Sequence, residues 1–224
     1  MSNNKPVTTA QLEAVRKMAR EKKVGRAAFQ AALDNGSFAR FLDQLKADEA
    51  TEYVPMSDAR IAELTKLAAK QGARIHILRR VKVKQGRDWQ EAISLAGPNT
   101  PMDYNVRKPE VSAQYQPVSF KVVEKDIVLL NYPNGDGWDK ALAWGDEAKL
   151  KRTVPRETFA IGEQHPTLHN TLGQNPMYVA ATTKCAFGGV PGACFVWWRD
   201  SERRASLRWV GHFVDSCGWF SFSE

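Results

Sequence analysis

The sequence predicts an α+β fold, in which short N-terminal helices are followed by a mixed α/β region. Apolar residues recur at helical spacing through residues 1–50, whereas from residue 73 they alternate with polar residues as in a strand. All seven tryptophans lie from Trp89 onward, so the composition also changes along the chain. We therefore predict a helical module (1–50), a helix–strand–helix region with a basic strand (51–117) and a second α+β region (118–224).

The first region predicts three short helices. One begins at a capping box formed by Thr8 and Gln11, the second covers about 27–33 and ends at Asn35-Gly36, and the third follows Ser37. Their apolar faces comprise Leu12, Val15, Met18 and Ala19 in the first helix and Phe38, Phe41, Leu42 and Leu45 in the third.

The second region predicts a helix from Asp58 to Gln71-Gly72, a strand over 73–84, and a helix over 89–96 that Asp88 and Glu91 open as a capping box. Alternation in the strand places one set of side chains on each face. The predicted buried face comprises Ile75, Ile77, Val81 and Val83, and the wet face His76, Arg80, Lys82 and Lys84.

The third region begins with a predicted hairpin, in which strands over 118–123 and 127–132 are joined by a turn at Glu124-Lys125-Asp126. Helices are predicted from Trp138 and from Pro155, and the second ends at His165-Pro166, because proline is tolerated in a first helical turn and disrupts later ones. The remainder predicts strands at 177–183, 193–199, 206–210 and 219–223, with the Gly-rich segment 188–192 as the first connection.

The composition is that of a globular protein, with 43% hydrophobic and 25% charged residues. No apolar stretch approaches the roughly 20 residues that a membrane span needs, and the polar start lacks a secretory signal, so we expect a cytoplasmic protein without membrane contact. Three cysteines, Cys185, Cys194 and Cys217, are too few for a disulfide framework and allow at most one bridge. The net charge of +7 favours weak attraction to polyanions.

The third region contains a series of motifs: GWDKALAW (137–144), TVPRETFA (153–160), YVAATT (178–183), ACFVWW (193–198) and GWFSF (218–222). Together they resemble the bacterial C-type-lectin-like domains, a group that includes the formylglycine-generating-enzyme-like domains. The most specific segment is Val154-Pro155-Arg156-Glu157 with Phe159, which is similar to the helix-opening motif of that family. The resemblance covers about 126–222. It implies two helices, a loop-rich strand region that is the usual binding face, and a final aromatic strand beside the first.

The resemblance implies no specific activity for this chain. Calcium-binding lectins carry Glu-Pro-Asn or Gln-Pro-Asp followed by Trp-Asn-Asp, whereas this chain has Gln174-Asn175-Pro176 and no Trp-Asn-Asp. The family's oxidative enzymes need a cysteine pair that none of the three cysteines matches. The whole chain also resembles a group of uncharacterised bacterial proteins, and that resemblance implies no mechanism.

A basic segment spans residues 66–87 and contains no acidic residue before Asp88. The candidate nucleic-acid-binding residues are Arg79, Arg80, Lys82, Lys84 and Arg87, because cationic side chains at two-residue spacing on a strand point the same way and can track phosphates. No aromatic residue is interleaved to stack bases. The alternative is that lysine and arginine protect an edge strand from pairing with another sheet.

A second candidate surface, near the C-terminus, combines aromatic and guanidinium groups, which are enriched at interface hot spots. It comprises Trp197, Trp198, Arg203, Arg204, Arg208 and Trp209, and a protein partner is the expected ligand. The alternative is that the alternating tryptophans fill the core while the arginines lie in solvent.

Catalytic and metal-binding patterns do not assemble in the sequence. His165, His169 and His212 offer bases for a cysteine nucleophile, but no motif joins them to the cysteines, for which core packing is the stronger interpretation. His165 and His169 have the four-residue spacing of a helical metal pair, but Pro166 interrupts the helix, and no Cys-x-x-Cys pair supports a zinc site. We predict no cofactor and no metal.

The leading hypothesis is a non-catalytic binding protein whose C-terminal Trp/Arg face holds a protein partner. The alternative is a nucleic-acid-associated factor that uses residues 66–87, with an affinity that falls steeply with salt. A cysteine-dependent enzyme is the third hypothesis, and it requires one thiol with a depressed pKa.

Overall fold

The structure is a computed structural model, and it describes residues 25–34, 53–116 and 121–224. The chain divides into two compact units, Met1–Glu49 and Ala50–Glu224. In the first unit, helix α1 spans Arg26–Asp34, which confirms the second predicted N-terminal helix. The first and third predicted helices, with the capping box at Thr8, lie outside the described residues.

The second unit contains the other elements. Its helices are α2 (Asp58–Lys70), α3 (Trp89–Ala96), α4 (Pro109–Ser112), α5 (Trp138–Glu147), α6 (Pro155–Gln164) and α7 (Leu168–Thr171), with 3-10 turns at Asn105–Arg107, Ala113–Tyr115 and Val210–His212. Its strands are β1 (Arg74–Lys84), β2 (Val122–Asn131), β3 (Lys151–Arg152), β4 (Met177–Ala181), β5 (Cys185–Phe187), β6 (Val190–Arg199), β7 (Glu202–Trp209) and β8 (Gly218–Ser223). These elements confirm the α+β class. In the described ranges, no helix has the length and apolar character needed to cross a bilayer.

Within the described residues, the eight strands form one mixed sheet in the order β1-β2-β8-β4-β6-β5, with β3 beside β8 and β7 beside β6. Strand β8 is antiparallel to β2 and parallel to β4. Because β1 pairs with β2, the segments predicted as separate regions, 51–117 and 118–224, share this sheet and belong to one compact unit.

Helices cover both faces of the sheet. On the α3/α6 face, Ile93 of α3 and Phe159 of α6 pack in one core cluster with side chains of β2, β4 and β6. On the α2/α5 face, Leu64 of α2 and Trp144 of α5 pack in a second cluster with side chains of β2 and β8. A strand covered on both sides buries consecutive residues, which explains the continuously buried run 127–131 in β2.

Local caps explain why the predicted helix boundaries are confirmed. At the start of α2, the Ser57 hydroxyl accepts a hydrogen bond from the Arg60 N–H at 3.2 Å. At the start of α3, the Asp88 carboxylate accepts from the Glu91 N–H at 2.9 Å. Helix α6 begins at Pro155. Proline suits this position because the N–H groups of a first helical turn make no hydrogen bond within the helix, so none is lost.

The predicted hairpin around residues 124–126 is wrong, because these residues lie within the continuous strand β2. Three consecutive charged residues are typical of a turn, but here each charge has a partner of opposite sign inside the fold. The pairs are Glu124 with Arg80 at 2.6 Å, Lys125 with Glu157 at 2.5 Å and Asp126 with Arg79 at 2.8 Å.

Strand β1 contains a bulge at Arg80, whose φ angle is 56°. At the bulge, Arg79 and Arg80 lie opposite the single residue Asp126 of β2. The additional residue in β1 exchanges the two faces to which side chains point before and after the bulge. As a result, Ile75 and Ile77 pack on the α2/α5 face, whereas Val81 and Val83 pack on the α3/α6 face. The prediction of one buried face for all four residues is therefore wrong.

The buried carboxylate of Asp126 holds this bulge in place. It accepts hydrogen bonds from Tyr53 Oη at 2.5 Å, Met56 N at 2.8 Å, Arg79 Nη1 at 2.8 Å and Arg80 N at 2.9 Å. Burial acts to raise the pKa of Asp126, but these hydrogen bonds outweigh it and lower the pKa. The carboxylate thus joins β1, β2 and the segment before α2.

The C-terminal strands confirm the predicted ones and add β5. The Gly-rich segment forms a two-residue turn between β5 and β6, in which Gly188 and Gly189 have φ angles of 57° and 79°. Glycine adopts this conformation without steric cost, so two glycines suit a tight hairpin. Strand β6 consequently begins at Val190, earlier than predicted.

Candidate functional site

Strand alternation divides the predicted Trp/Arg cluster between the two faces of the sheet. In the antiparallel pair β6–β7, Trp197 lies opposite Arg204 and Trp198 lies opposite Arg203. Opposed residues share a face, and neighbours along a strand do not. The α2/α5 face therefore carries Trp197, Arg204 and Arg208, and the α3/α6 face carries Trp198, Arg203 and Trp209.

Trp198 and Arg203, two of the predicted partner-binding residues, both make contacts that stabilise the fold. Trp198 is 0% exposed and packs in the core. The Arg203 guanidinium donates to Ala96 O at 2.6 Å and to Leu95 O at 3.2 Å, and so caps the carbonyl groups at the end of α3. Burial lowers the pKa of Arg203.

Trp209 is exposed and borders a different depression from Trp197 and Arg204. Its ring packs edge-on against His212, with ring centroids 5.7 Å apart. Together with Phe187 and Leu207 it borders a small depression of about 190 Å³. Arg208 lines this depression and also the larger pocket that contains Trp197 and Arg204, so the predicted Trp/Arg surface divides into two adjoining sites.

The other three predicted residues line a pocket of about 380 Å³, which we call the aromatic–arginine pocket. Hydrogen-bonded pairing places Tyr178 of β4, Trp197 of β6 and Arg204 of β7 in one row across the sheet. The pocket residues are Tyr104, Tyr178, Phe195, Trp197, Arg204, Ser206, Arg208, Asp215 and Cys217.

Arg204 is fixed by three contacts. Its guanidinium carbon lies 5.6 Å from the centre of the Trp197 ring, a distance at which a cation is attracted to the ring face. It donates hydrogen bonds to Tyr104 Oη at 3.2 Å and to the Glu202 carboxylate at 2.7 Å. These interactions, the Tyr104 bond first, raise the pKa of Arg204 and keep it charged.

Arg208 is fixed mainly by aromatic rings. Its guanidinium carbon lies 5.9 Å from the centre of the Tyr178 ring and 5.8 Å from that of Phe213. Asp215 is its carboxylate partner, at a longer distance of 3.6 Å. Both arginines are thus held over aromatic rings while they line the same pocket.

The thiol of the pocket is held in its neutral form. Burial raises the pKa of Cys217 to about 12, and the Asp215 carboxylate, to which the thiol donates at 2.8 Å, adds to the increase. Burial and Asp215 also raise the pKa of Tyr178. A thiol with such a pKa is protonated at neutral pH and is a poor nucleophile.

The other two cysteines lie in the core. Cys185 and Cys194 are free thiols and are buried. Burial raises the pKa of Cys194, and a hydrogen bond between the two thiols lowers that of Cys185. The hypothesis of a cysteine nucleophile therefore lacks a thiol that is both accessible and activated.

Four of the five candidate nucleic-acid-binding residues form salt bridges with acidic residues outside the basic segment. Lys84 is exposed and makes no salt bridge with a described residue, but the other four candidate residues do. The pairs are Arg79 with Asp126 and Asp58, Arg80 and Lys82 with Glu124, and Arg87 with Glu91 and Glu163. These residues form a surface of mixed charge.

The edge of β1 is partly closed by a side chain. The Gln164 amide accepts from Lys82 N at 2.9 Å and donates to Lys82 O at 2.8 Å. Such cover limits pairing with another sheet, as in the alternative interpretation of this strand. Because of the bulge, His76 lies on the α3/α6 face, whereas Lys82 and Lys84 point to the other face. The prediction that these residues share one solvent-exposed face of the strand is therefore wrong.

The two histidines at helical spacing lie on different elements. Helix α6 ends at Gln164, His165 follows it as a cap, and His169 lies in α7, which confirms the predicted helix stop. Burial lowers the pKa of His165. In the part of the chain that the structure describes, no three His, Cys, Asp or Glu side chains are close enough together to hold a metal ion.

Sequence reasoning missed Tyr104, Tyr178 and Asp215 as residues of the pocket. Tyr104 lies in a predicted loop and reaches Arg204 across 100 positions of the chain, so no local pattern connects them. The pocket residues of β7, by contrast, can be predicted from the local sequence. Alternation along β7 places Arg204, Ser206 and Arg208 on one face.

No protein-family model, no curated protein and no solved structure matches this chain. The functional assignment therefore rests on the geometry of the described residues.

Proposed function

We propose that this protein is a non-catalytic binding protein that holds a protein partner in the aromatic–arginine pocket. The observation that carries the proposal is the position of two guanidinium groups, Arg204 and Arg208, over aromatic rings in one pocket. Tryptophan, tyrosine and arginine contribute most often to the binding energy of protein interfaces, particularly in pockets.

Contacts within the pocket order both arginines before a partner arrives. Arg204 is held by Trp197 and Tyr104, and Arg208 by Tyr178. Ordering a long side chain costs conformational entropy on binding, and a side chain that is already ordered avoids much of that cost. Arginine has five N–H donors, so each guanidinium retains donors for a carboxylate or carbonyl of the partner.

The cysteines support a binding role in a reducing compartment. The Cys217 thiol in the pocket has a pKa of about 12, which favours binding over nucleophilic chemistry there. All three cysteines are free, which is typical of cytoplasmic proteins. We accordingly propose a cytoplasmic location.

We also propose that residues 126–222 have a C-type-lectin-like arrangement. Two features support it: α5 and α6 follow β2, and the final aromatic strand β8 returns antiparallel beside β2. The resemblance implies a binding face in the loop-rich strand region, and residues 195–217 of the pocket belong to that region.

The test is capture followed by reconstitution. Proteins cross-linked to the immobilised full-length chain are identified by mass spectrometry, purified, and titrated by calorimetry. Arg204→Ala and Arg208→Ala are each expected to weaken binding by about 30-fold, the effect typical of an interface hot spot.

Arg199→Ala is the matched control. Arg199 is exposed on β6 outside the pocket and pairs with its neighbour Asp200 at 3.9 Å. This variant is expected to bind like the parent, and circular dichroism shows whether each variant is folded. An unchanged Kd in both pocket variants would contradict the proposal.

A further inference from the structure

We infer that a second cleft, at the start of helix α6, binds a small molecule with an apolar body and an anionic group. This α6 cleft has a volume of about 400 Å³ and lies where β3, the end of β1 and the start of α6 meet. It shares no lining residue with the aromatic–arginine pocket. The inference is therefore independent of the proposed function.

Apolar groups form part of the wall of the α6 cleft. Val83 comes from β1, Val154 and Pro155 come from the start of α6, and Tyr115 contributes its ring. That ring is held by stacking on Trp89, with centroids 5.6 Å apart. Small-molecule sites typically have volumes of roughly 300–1,000 Å³ and combine apolar walls with a few polar groups, and the α6 cleft has this character.

Positive charge exceeds negative charge around the cleft. The only lining carboxylate, among the residues that the structure describes, is that of Glu157. Its Oε1 accepts from Lys125 Nζ at 2.5 Å and its Oε2 from Val154 N at 2.8 Å, so both oxygens are already engaged. The lining cations are Lys125, Lys151, Arg152 and Arg156.

Arg156 is the main reason to expect an anion. Its guanidinium carbon lies 5.3 Å from the centre of the Trp89 ring, and its N–H groups donate to Arg87 O at 3.3 Å and to Tyr115 O. It makes no salt bridge with a described residue. Burial lowers the pKa of Arg156, and the charge of Asp88 opposes this effect. A partly buried cation without a counter-ion is unfavourable, and an anion in the cleft supplies the missing charge.

Lys151 provides a second available cation. It is exposed on β3 and makes no salt bridge within the described part of the chain. Helix α6, ten residues long, begins beside it, and the N-terminal end of a helix carries partial positive charge. The anionic group is therefore expected near Lys151 and Arg156, with the apolar body against Val83 and Pro155.

The probe is 8-anilinonaphthalene-1-sulfonate, a fluorescent apolar anion, titrated into the folded full-length chain. We expect one saturable site, and roughly fivefold weaker binding in Lys151→Glu, because an attraction becomes a repulsion. Val154→Asp is expected to weaken binding similarly without lowering Tm, since aspartate is a better N-cap than valine.

Arg199→Glu, outside both pockets, is expected to bind the dye like the parent chain. The proposal is overturned if no saturable fluorescence increase occurs, or if Lys151→Glu and Val154→Asp both keep the parent affinity. Loss of dye binding in Arg208→Ala with retention in Lys151→Glu would place the dye in the aromatic–arginine pocket and would also overturn it.

Competition tests the apolar part of the ligand. Benzoate is expected to displace the dye, whereas inorganic phosphate at the same concentration is not. Displacement by phosphate and not by benzoate would mean that the apolar wall makes no contribution, and the proposed ligand class would be wrong.

Discussion

Arginines at the two ends of the sheet have both carboxylate and aromatic partners, but the burial of those carboxylates differs. At the β1 end, Arg79 is bound by the Asp126 carboxylate at 2.8 Å and Arg80 by that of Glu124 at 2.6 Å. At the β6–β7 end, Arg204 and Arg208 lie over aromatic rings, and their carboxylate partners are Glu202 at 2.7 Å and Asp215 at 3.6 Å. A carboxylate cancels the charge that it holds, whereas a ring positions a guanidinium without cancelling its charge. The Asp126 carboxylate is buried, whereas those of Glu202 and Asp215 are partly exposed. We therefore expect the arginines of the β1 end to contribute mainly to stability, and we propose that those of the β6–β7 end contribute to binding.

The largest expected effect distinguishes the two tryptophans of β6. Trp198→Ala removes a fully buried ring and is expected to lower the free energy of unfolding by about 4 kcal/mol. Trp197→Ala removes a ring that is partly exposed in the pocket and is expected to cost about 2 kcal/mol. Urea denaturation measures both. Equal losses would contradict the separation of the two residues into core and pocket.

At the β1 end, Asp126→Ala is expected to lower the free energy of unfolding by about 3 kcal/mol. The change leaves the Met56 N–H and Arg80 N–H without an acceptor and the Arg79 guanidinium without its carboxylate. Glu63→Ala, which removes an exposed acid from α2, is the control and is expected to change stability little. A loss below about 1 kcal/mol for Asp126→Ala would show that the bulge does not depend on this carboxylate.

Acid should destabilise the protein in two pH ranges. Burial lowers the pKa of His76 and of His165, so the unfolded chain takes up their protons first and stability falls below about pH 6.5. The pKa of Asp126 is also lowered, so its contribution is complete above about pH 4 and is lost as pH falls through the folded-state pKa. Urea unfolding as a function of pH separates the two ranges. Hydrogen bonds with Arg80 and Lys140 also lower the pKa of Glu124 and of Asp136. Asp126→Asn is therefore expected to reduce the loss of stability in the lower range without abolishing it, and an unchanged loss in that variant would contradict the assignment.

A smaller effect distinguishes the two arginines that follow each other in β7. Arg203→Ala removes the cap of α3 and is expected to cost about 1 kcal/mol. Arg204→Ala removes partly exposed contacts with Trp197, Tyr104 and Glu202 and is expected to cost less. Thermal melts of the two variants make the comparison, and a larger loss for Arg204→Ala would assign that residue to the fold rather than to binding.

Local sequence was sufficient for most of the helix ends, and non-local contacts explain the errors. The start of α3 depends on Asp88 and the N–H three residues later, so it is visible in a short window. The bulge in β1 depends on Asp126, which lies 46 positions from Arg80. No property of residues 73–84 alone indicates that a carboxylate is buried beneath them. The sequence of this segment therefore predicts uninterrupted alternation of buried and exposed side chains along the strand.

The same distinction applies to the candidate site. Arginine and tryptophan were identified by residue type, and strand alternation then separates Trp197 from Trp198 on local grounds. Tyr104 joins the pocket through a loop that packs against β7, and Asp215 through the turn before β8. Their positions depend on the order of strands in the sheet, which pairs β6 with both β4 and β7.

The smallest expected effect concerns nucleic-acid binding by the basic segment, which stays a prediction. If Arg79, Arg80, Lys82, Lys84 and Arg87 all contact phosphates, the logarithm of affinity for duplex DNA falls against the logarithm of salt concentration with a slope of about −4.5. We expect a slope of about −2, because the three arginines are hydrogen-bonded to carboxylates. By contrast, Lys82 lies 3.7 Å from Glu124, and Lys84 makes no salt bridge with a described residue.

Mobility shifts over a range of salt concentrations measure this slope. Lys82→Ala combined with Lys84→Ala is expected to abolish the weak binding at low salt. The control for net charge is Lys184→Ala combined with Arg199→Ala, which removes two exposed cations outside the segment. A slope near −4.5 would mean that phosphates displace Glu124 and Asp126 from the arginines. The two ends of the sheet would then both be binding surfaces, and the carboxylates at the β1 end would be exchangeable partners instead of fixed parts of the fold.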